Sequence, residues 1–306
     1  MKKFVFVLLA FSLSLSPQES VLDSLEVQNL EEVIVSSVRV KDNIPIAFNN
    51  VSKEEISKRN LGQDIPILLN FLPNVVTTSD AGAGIGYTGI RIRGVNSQST
   101  NVTINGIPYN DAESLGTFWV DLPDFSSSVE NLQVQRGIGT SVNGSSAFGA
   151  SINILTDKIS QNPYFESANT IGSFNTVKNN FRFSTGLLNE TIEFSGRLSK
   201  IDSDGYIDRA SSDLKSSFLQ LSYKKNKTLL KFLNFGGHEI TYQAWNGIDL
   251  QTLENNRTFN PSGLYYDLNG EERFHENEVD NYKQDHFQFH WTQSISKNLT
   301  SNLGLN

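Results

Sequence analysis

The sequence predicts a small α+β domain followed by antiparallel transmembrane β-strands, which make up only part of a barrel. Three observations support this fold class. Residues 38–160 contain short helix and strand signals separated by polar loops, whereas runs of alternating apolar and polar residues begin at Pro163. The alternating runs are about 9–11 residues long, the length of a membrane-crossing β-strand. The 20 Phe, nine Tyr and three Trp against a single Met fit such strands better than a helical core.

The composition narrows the class of protein. The chain has 306 residues, enough for about two domains of ordinary size. Its 25 basic and 33 acidic side chains give a formal net charge of −8, which disfavours non-specific binding to a phosphate backbone. The absence of cysteine excludes a disulfide scaffold, thiolate-bound metals, a cysteine nucleophile and a lipid-anchored cysteine. After residue 15 no apolar run approaches the ~20 residues of a membrane-spanning helix, so any membrane crossing there requires β-strands.

The N-terminus has the charge order of a secretory signal. Residues 1–3 are basic at two positions, and a run of apolar and serine residues follows at 4–15. This run is too short to anchor the chain in a bilayer, and we therefore predict a signal peptide at 1–20. A buried N-terminal helix is the alternative, although no amphipathic period accompanies the run.

Residues 21–37 predict a linker that ends in a short extended segment. Residues 21–30 lack a clear period, and a β-prone segment flanked by charge follows them. This segment consists of Glu31, Glu32, Val33, Ile34, Val35, Ser36 and Ser37. It can pair with the sheet edge of another protein by strand addition, or it can be the first strand of the next domain, and its residues leave both readings open.

Two short helices and four strands are predicted in the α+β domain at 38–160. Ser52 and Glu55 form a capping-box pattern that opens a helix ending at Asn60. Residues 64–72 predict a second helix, because Pro66 is tolerated in its first turn and Pro73 ends it. The strands are expected at 90–95, 101–107, 129–135 and 152–156, with polar loops at 77–89 and 108–116.

Residues 161–306 predict about seven barrel strands. One face is apolar and the other polar in the runs at 177–187, 190–200, 214–223 and 284–292, whereas the run at 229–236 is apolar on both faces. Tight turns are expected at 187–190 and 224–227, and long loops at 202–213 and 238–280. A soluble β-sandwich also alternates, but its strands are usually shorter, about 5–6 residues.

Several motifs, in this order, resemble the TonB-dependent outer-membrane receptors. Residues 31–37 resemble the TonB box, and 90–94 and 105–108 resemble two signatures of the plug domain. The last resemblance is to the stretch that closes the plug domain. It is carried by Arg136, Gly137, Gly144, 147–149 and 152–156, with mild departures at Asn143 and Ala150. The resemblance implies a signal peptide at 1–20, a linker and TonB box at 21–37, a plug domain at 38–160 and the N-terminal part of the barrel at 161–306.

The plug signatures supply the predicted structural residues of that domain. They are Arg91, Arg93, Gly94, Gly106, Arg136, Gly137, Gly144 and Gly149. Glycines at strand ends suit tight turns or the close approach of neighbouring backbone. The resemblance implies that Arg93 and Arg136 pair with carboxylates of the barrel wall. The alternative is a solvated arginine, whose ion pairs contribute little.

The two outward loops of the plug, at 77–89 and 108–119, supply the predicted substrate contacts. These are Tyr87, Tyr109, Asp111, Glu113 and Trp119, which offer aromatic and polar groups. The alternative is that they are ordinary loop residues.

No motif predicts an enzyme, a cofactor or a metal site. Residues 84–89 match GxGxxG, but a polar stretch precedes them and a strand follows, so we expect a loop. Residues 202–205 resemble a calcium loop that lacks its bidentate glutamate, and a surface turn is expected. His286 and His290 lie about 13 Å apart along a strand, too far for one metal, and are expected to face the polar lumen. No Ser/His/Asp set has recognisable local context.

The resemblance also implies a function: TonB-dependent uptake of a scarce nutrient across the outer membrane, most often a ferric siderophore or a cobalamin-like compound. The expected partners are TonB with its inner-membrane complex, the metal chelate or similar nutrient, and outer-membrane lipid, and nucleic acid is not expected. Plugged barrels of this kind have about twenty-two strands, so about seven indicate an N-terminal fragment. The alternatives are a secreted all-β binding or adhesion protein and a truncated transporter without function.

Overall fold

An α+β domain comes first along the chain, and a long antiparallel sheet follows it. The computed structural model describes residues 39–40, 44–139, 147–296 and 298–306. The predicted signal peptide, the segment 31–37 and Gly144 lie outside the described residues. Within the described part, no helix is long and apolar enough to cross a membrane.

The α+β domain is built on a five-stranded sheet. Its elements are β1 (Ala47–Ser52), α1 (Lys53–Arg59), α2 (Ile65–Leu68), β2 (Val75–Ser79), β3 (Thr88–Ile92), β4 (Thr100–Ile104), β5 (Ile107–Pro108), β6 (Val129–Arg136) and β7 (Ala150–Thr156). The sheet has the order β1-β6-β7-β4-β5, in which β4 and β7 are parallel and the other neighbours antiparallel. β2 and β3 form a separate antiparallel pair. One apolar cluster joins helices and sheet, with Ile92, Ile104, Ile152 and Ile154 fully buried.

The two predicted helices are present, and the second is shorter than predicted. The capping box of α1 forms as expected, because the Ser52 hydroxyl accepts from the Glu55 backbone and the Glu55 carboxylate accepts from the Ser52 N–H at 2.8 Å. α2 ends at Leu68 instead of Leu72. The Leu69 N–H donates to the carbonyl of Pro66 at 3.1 Å and the Leu72 N–H to that of Leu69 at 3.0 Å, so the chain tightens into successive turns.

The strands of the α+β domain differ from the prediction in three places. β1 was not predicted, and β2 lies partly in the segment 77–89, which was expected to be a loop. The stretch 101–107 is not one strand, because Asn105 and Gly106 turn the chain with φ of 52° and 83°. Asn-Gly is the favoured pair for such a two-residue hairpin turn, and the sequence offered this signal.

The second sheet has seven strands, which we call the seven-stranded sheet. They are β8 (Tyr164–Ile171), β9 (Val177–Ser184), β10 (Ile192–Ser203), β11 (Ser212–Lys225), β12 (Thr228–Tyr242), β15 (Val279–Ser296) and β16 (Leu299–Leu305), paired as consecutive antiparallel neighbours in that order. A helix, α3 (Leu250–Asn255), and a hairpin of β13 (Leu264–Tyr266) and β14 (Glu272–Phe274) lie between β12 and β15.

The two faces of the seven-stranded sheet differ in character. One face exposes rows of apolar side chains, such as Phe194, Leu221 and Phe232, which are direct neighbours across β10, β11 and β12. The other face is polar and yet buried, because the α+β domain packs on it. The segment 229–236 is apolar on both faces for this reason: Leu233 and Phe235 join the core of the α+β domain while Phe232 stays on the exposed face.

The predicted fold class is confirmed, since an α+β domain precedes antiparallel strands with few helices. The seven-stranded sheet does not close within the described residues: β8 and β16 are its two edges.

Candidate functional site

A buried carboxylate fastens the α+β domain to the seven-stranded sheet. Asp124 has a fully buried side chain, and the Lys178 ammonium on β9 lies 2.7 Å from it. The Ser199 hydroxyl on β10 donates to Asp124 at 2.7 Å, and the Asn180 amide donates at 2.5 Å. Arg197, also on β10, has a guanidinium nitrogen 3.7 Å from the same carboxylate. We call these five residues the Asp124 cluster.

The Asp124 cluster balances the cost of burying its charges. Burial alone would raise the pKa of Asp124, but the positive charges of Arg197 and Lys178 outweigh it and lower the pKa to about 2. Asp124 has φ of 52°, a left-handed conformation that Asp and Asn tolerate better than most residues. The carboxylate therefore stays ionised at every physiological pH and fixes the position of the α+β domain against β9 and β10.

A backbone contact lies beside the Asp124 cluster. Gly237 on β12 faces the carbonyl of Asp121, and a Cβ at this position would lie 2.4 Å from that oxygen and 2.6 Å from Cδ of Pro123. No side chain fits there, so glycine lets the α+β domain approach the strand directly. The Ser216 hydroxyl on β11 donates to the Pro123 carbonyl at 2.6 Å in the same region.

A cavity of about 540 Å³ opens between the α+β domain and β15. This volume lies within the usual range for small-molecule sites. The α+β domain contributes Tyr87 and residues of the segment 108–121, and β15 contributes Asp280, Tyr282, Gln284 and His286. The cavity therefore lies at the end of β15 that follows the long segment 243–278.

The lining of the cavity is acidic. Asp111, Glu113, Asp121 and Asp280 line it, and no lysine or arginine does so among the residues that the structure describes. The Tyr87 hydroxyl donates to Asp280 and lies 3.3 Å from the Glu239 carboxylate, just behind the lining. Burial raises the pKa of Asp121 to about 7, and repulsion from Glu239, Asp280 and Asp111 adds to the effect.

Aromatic rings and two unpartnered polar atoms complete the lining. The Tyr109 ring packs against His286 with centroids 5.1 Å apart, and its hydroxyl accepts from Gln284 at 2.6 Å. Burial raises the pKa of Tyr109, so its hydroxyl remains protonated. Oγ1 of Thr117 and Nε2 of His286 are buried from solvent and have no hydrogen-bond partner among the described residues. The cavity thus combines acceptors, rings and unused hydrogen-bonding groups.

Four of the five predicted substrate contacts line this cavity: Tyr87, Tyr109, Asp111 and Glu113. Trp119 does not, because it is 3% exposed and belongs to the core of the α+β domain. The sequence reasoning did not single out Asp121, Asp280, Tyr282 or Gln284. The strand register of β15 is the signal that could have found the last three, because they share the parity of His286.

The predicted structural residues that the structure describes lie in strands or at their ends, where glycines were expected. Gly149 is the most crowded, since a Cβ there would lie 2.0 Å from Cγ2 of Val95. Arg136 donates to the carbonyl of Pro73 at 3.1 Å, and the Arg93 N–H donates to that of Asn74 at 2.8 Å. In the described part of the chain, no carboxylate lies within ion-pair distance of either arginine. Arg91, Gly94, Gly106 and Gly137 also lie in or beside β3, β4 and β6.

The remaining sequence motifs concern metal binding and loops. Among described residues, no three His, Cys, Asp or Glu side chains converge to hold a metal ion. Residues 84–89 lead into β3 without forming a helix, and residues 204–211 connect β10 to β11. His286 and His290 lie on the buried face of β15, at half-buried and buried positions.

Comparisons with known proteins show what the chain is similar to. Residues 40–151 match the family model of the TonB-dependent receptor plug domain. The chain is similar to the vitamin B12 transporter BtuB of Vibrio vulnificus, with 31% identity over 191 residues that cover 61% of this chain and 30% of that protein. It is also similar to the iron-regulated outer membrane virulence protein of Vibrio cholerae, with 27% identity over 238 residues that cover 71% of this chain and 33% of that protein.

Solved structures share the fold. The ferric-catecholate import receptor Fiu from E. coli superposes with a TM-score of 0.64 at 15% identity, covering 85% of this chain and 38% of that chain. The siderophore receptor PirA from Acinetobacter baumannii gives a TM-score of 0.59 at 16% identity, covering 84% of this chain and 39% of that chain. The chain spans about a third of the length of the curated relatives it matches. Residues 40–151 therefore match a TonB-dependent receptor plug domain, and the chain is similar in sequence and fold to outer-membrane receptors of that kind.

Proposed function

We propose that the protein imports a scarce nutrient across the outer membrane in a TonB-dependent manner, and that the nutrient is an iron chelate. The names of its relatives support this cargo, since they include an iron-regulated outer membrane protein and siderophore receptors. The vitamin B12 transporter among them makes a cobalamin the second candidate cargo.

The observation that carries the proposal is the cavity between the plug and the wall. A ligand held there touches plug residues such as Tyr109 and wall residues such as Asp280 at the same time. Occupancy of the cavity is therefore able to change how the plug is held, because a ligand shifts any equilibrium between states that bind it unequally. A site confined to the wall would lack this link.

The proposed division of labour follows the chain. Residues 38–160 act as the plug, and residues 161–306 supply the first strands of the barrel wall. The segment 31–37 binds TonB by adding a strand to its sheet, and TonB supplies the energy for import.

Iron uptake by cells tests the proposal. A strain that lacks the gene is compared with its parent under iron limitation, with radioactive iron supplied as chelates of several chemical classes and labelled cobalamin supplied in parallel. We expect the gene deletion to abolish the uptake of at least one chelate while cobalamin uptake stays at the parental level. Loss of cobalamin uptake alone would favour the second cargo. Unchanged uptake of every cargo would contradict the proposed function.

A further inference from the structure

We propose that the cargo presents a positively charged organic group to the cavity between plug and wall, and that polyanionic chelates are rejected there. This inference rests on the proposed function, because it assigns the chemical class of the cargo for the same site. Its support comes from three features of the cavity: the sign of its charges, its rings and its unused hydrogen-bonding atoms.

The charged groups that line the cavity are all acidic. Asp111 and Glu113 come from the plug loop, and Asp280 comes from the wall strand β15, so carboxylates face the cavity from both sides. Glu239 adds a fourth charge within reach of the Tyr87 hydroxyl, at 3.3 Å. Carboxylates gathered in this way repel one another, and a cation placed between them relieves the repulsion.

In the described ranges, the cations near the cavity do not neutralise this charge. Lys178 and Arg197 are committed to Asp124 in the Asp124 cluster. Lys283 on β15 lies 3.8 Å from Asp285, and both belong to the opposite face of that strand from Tyr282 and Gln284. The field inside the cavity therefore favours a positive ligand and opposes a negative one.

The rings of the lining suit the same ligand. Tyr87, Tyr109, Phe118 and Tyr282 all border the cavity. Aromatic faces attract organic cations through their quadrupole, and a combination of rings with carboxylates is a common way to bind an ammonium group. A ferric catecholate complex carries negative charge, and neither the rings nor the carboxylates offer it a partner.

Two residues of the lining also have polar atoms without a partner. Thr117 and His286 line the cavity, and the buried atoms Oγ1 of Thr117 and Nε2 of His286 lack a hydrogen-bond partner among the described residues. Buried polar atoms are usually hydrogen-bonded, so a ligand that reaches them gains two contacts. A compact metal ion alone does not fit this pattern, whereas an organic chelate with a cationic arm does.

The test compares two chelates that differ in one charge. A ferric trihydroxamate with a free amine is the cationic probe, and the same chelate with that amine acetylated is the neutral probe. A ferric tris-catecholate is the anionic probe, and a ferrous salt is the metal alone. Binding to the purified full-length protein is measured by titration, and uptake is measured in cells that produce the protein from its own gene.

Matched variants assign the preference to the cavity. In the first, Asp280→Asn and Glu113→Gln remove two charges from the lining. In the control, Glu254→Gln and Glu276→Gln remove two charges from exposed positions in the segment between β12 and β15. We expect the wild type and the control to bind the amine probe about tenfold more tightly than its acetylated form, about 1.4 kcal/mol. We expect the lining variant to lose most of this difference.

Any of four binding results would overturn the inference: equal binding of the amine and acetylated probes, tighter binding of the tris-catecholate, binding of neither hydroxamate, or a preference that survives in the lining variant. Uptake of the ferrous salt that depends on Asp280 would replace the organic cation with a metal ion and also overturn it. Failure of the proposed function is a separate result, in which the gene is dispensable for uptake while the purified protein still discriminates between the probes.

Discussion

Single residues inside the plug carry charges that the sequence does not mark as special. Asp124 follows a proline in a stretch of small polar residues, which is also the composition of a surface turn. Its partners Lys178 and Arg197 occupy polar positions on alternating strands, where an ordinary lumen-facing residue would serve equally well. Only the fold brings the three together, so the Asp124 cluster could not be predicted from sequence.

Removing the charge of Asp124 tests what the cluster contributes. Asp124→Asn keeps the size of the side chain and tolerates the left-handed backbone, but it leaves Lys178 and Arg197 buried without a counter-charge. Breaking a buried pair in this way costs about 3–5 kcal/mol. We expect the plug of this variant to be cleaved faster by limited proteolysis and to exchange its amide hydrogens faster.

The control for this change is Asp202→Asn. Asp202 pairs with Lys200 at 2.7 Å, but its side chain is 47% exposed. An exposed pair contributes little, so proteolysis of this variant should match the wild type. Equal protection of the Asp124 and Asp202 variants would show that the cluster does not fasten the plug.

Asp64 is a buried carboxyl without an ionic partner. It accepts from the Thr88 hydroxyl at 2.9 Å, while its other oxygen has no partner in the described part of the chain. Burial raises the pKa of Asp64 to about 8, the Thr88 hydrogen bond opposes this rise, and the charges of Asp124 and Glu239 add to it. The folded protein therefore holds a proton on Asp64 that the unfolded chain releases near pH 4.

This proton makes stability depend on pH. Because the pKa is raised by folding, the contribution of Asp64 is fully present below about pH 4 and is lost as the pH rises toward about 8. Asp64→Asn cannot ionise, and we expect it to stabilise the plug relative to wild type at pH 8, by about 2–4 kcal/mol, and to have little effect at pH 4. The transition temperature of the purified protein at both pH values measures the difference. A variant that destabilises equally at both would refute the assignment.

At the scale of elements, the strands of the wall were easier to predict than those of the plug. Alternation of apolar and polar residues identifies strands such as β10 and β11, because one face of each strand meets uniformly apolar surroundings. The sequence shows that pattern directly. β12 breaks the pattern at 229–236, since the plug core covers the inward Leu233 and Phe235. The pattern of a strand depends on what packs against each of its faces, and the sequence alone does not give those neighbours.

The plug elements are short, and tertiary contacts decide them. β1 is only six residues long and pairs with β6, which lies far along the chain, so no local period announces it. The cavity was predicted in part, because Tyr87, Tyr109, Asp111 and Glu113 lie on the two polar loops that the sequence analysis assigns to substrate contacts. The residues that β15 contributes to the cavity depend on how this strand is placed against the plug, and the sequence alone does not give that placement.

The close contact between β12 and the plug requires a residue without a side chain at Gly237. Gly237→Ala places a Cβ against the Asp121 carbonyl, and neither backbone can yield without moving the plug. We expect this variant to loosen the plug by about 1–3 kcal/mol, as overpacking usually does. Hydrogen exchange over residues 118–128 measures the effect. Gly247→Ala is the control, because a Cβ there meets nothing within 4 Å. Equal exchange in both variants would contradict the direct contact.

The exposed face of the wall is predicted to meet lipid. Leu221 lies between Phe194 and Phe232 on this face and is 48% exposed. Leu221→Arg would place a charge in the hydrocarbon, which costs about 2–4 kcal/mol at mid-membrane and less toward the interface. We expect less folded protein in the outer membrane, measured by the heat-dependent shift of the folded band on gels. Leu268→Arg, at a fully exposed position between β13 and β14, is the control and should fold normally.

For the molecule as a whole, the plug and the seven-stranded sheet each cover a surface of the other. The polar face of the seven-stranded sheet is buried only because the plug packs on it, and the plug core is closed only because Phe218, Leu233 and Phe235 of the wall enter it. The cavity lies at the margin of this contact, so a ligand bound there would touch both parts. In the proposed function, import requires a force that changes the contact, and TonB supplies that force by acting on residues 31–37.

The most direct measurement of this account is cargo uptake after deletion of residues 31–37 from the chromosomal gene. An equally long deletion at 23–29 in the linker is the control. We expect the first deletion to reduce uptake to the level of a strain without the gene, while the amount of protein in the outer membrane and its cargo binding stay unchanged. We expect the control deletion to have no effect. Undiminished uptake without residues 31–37 would contradict it.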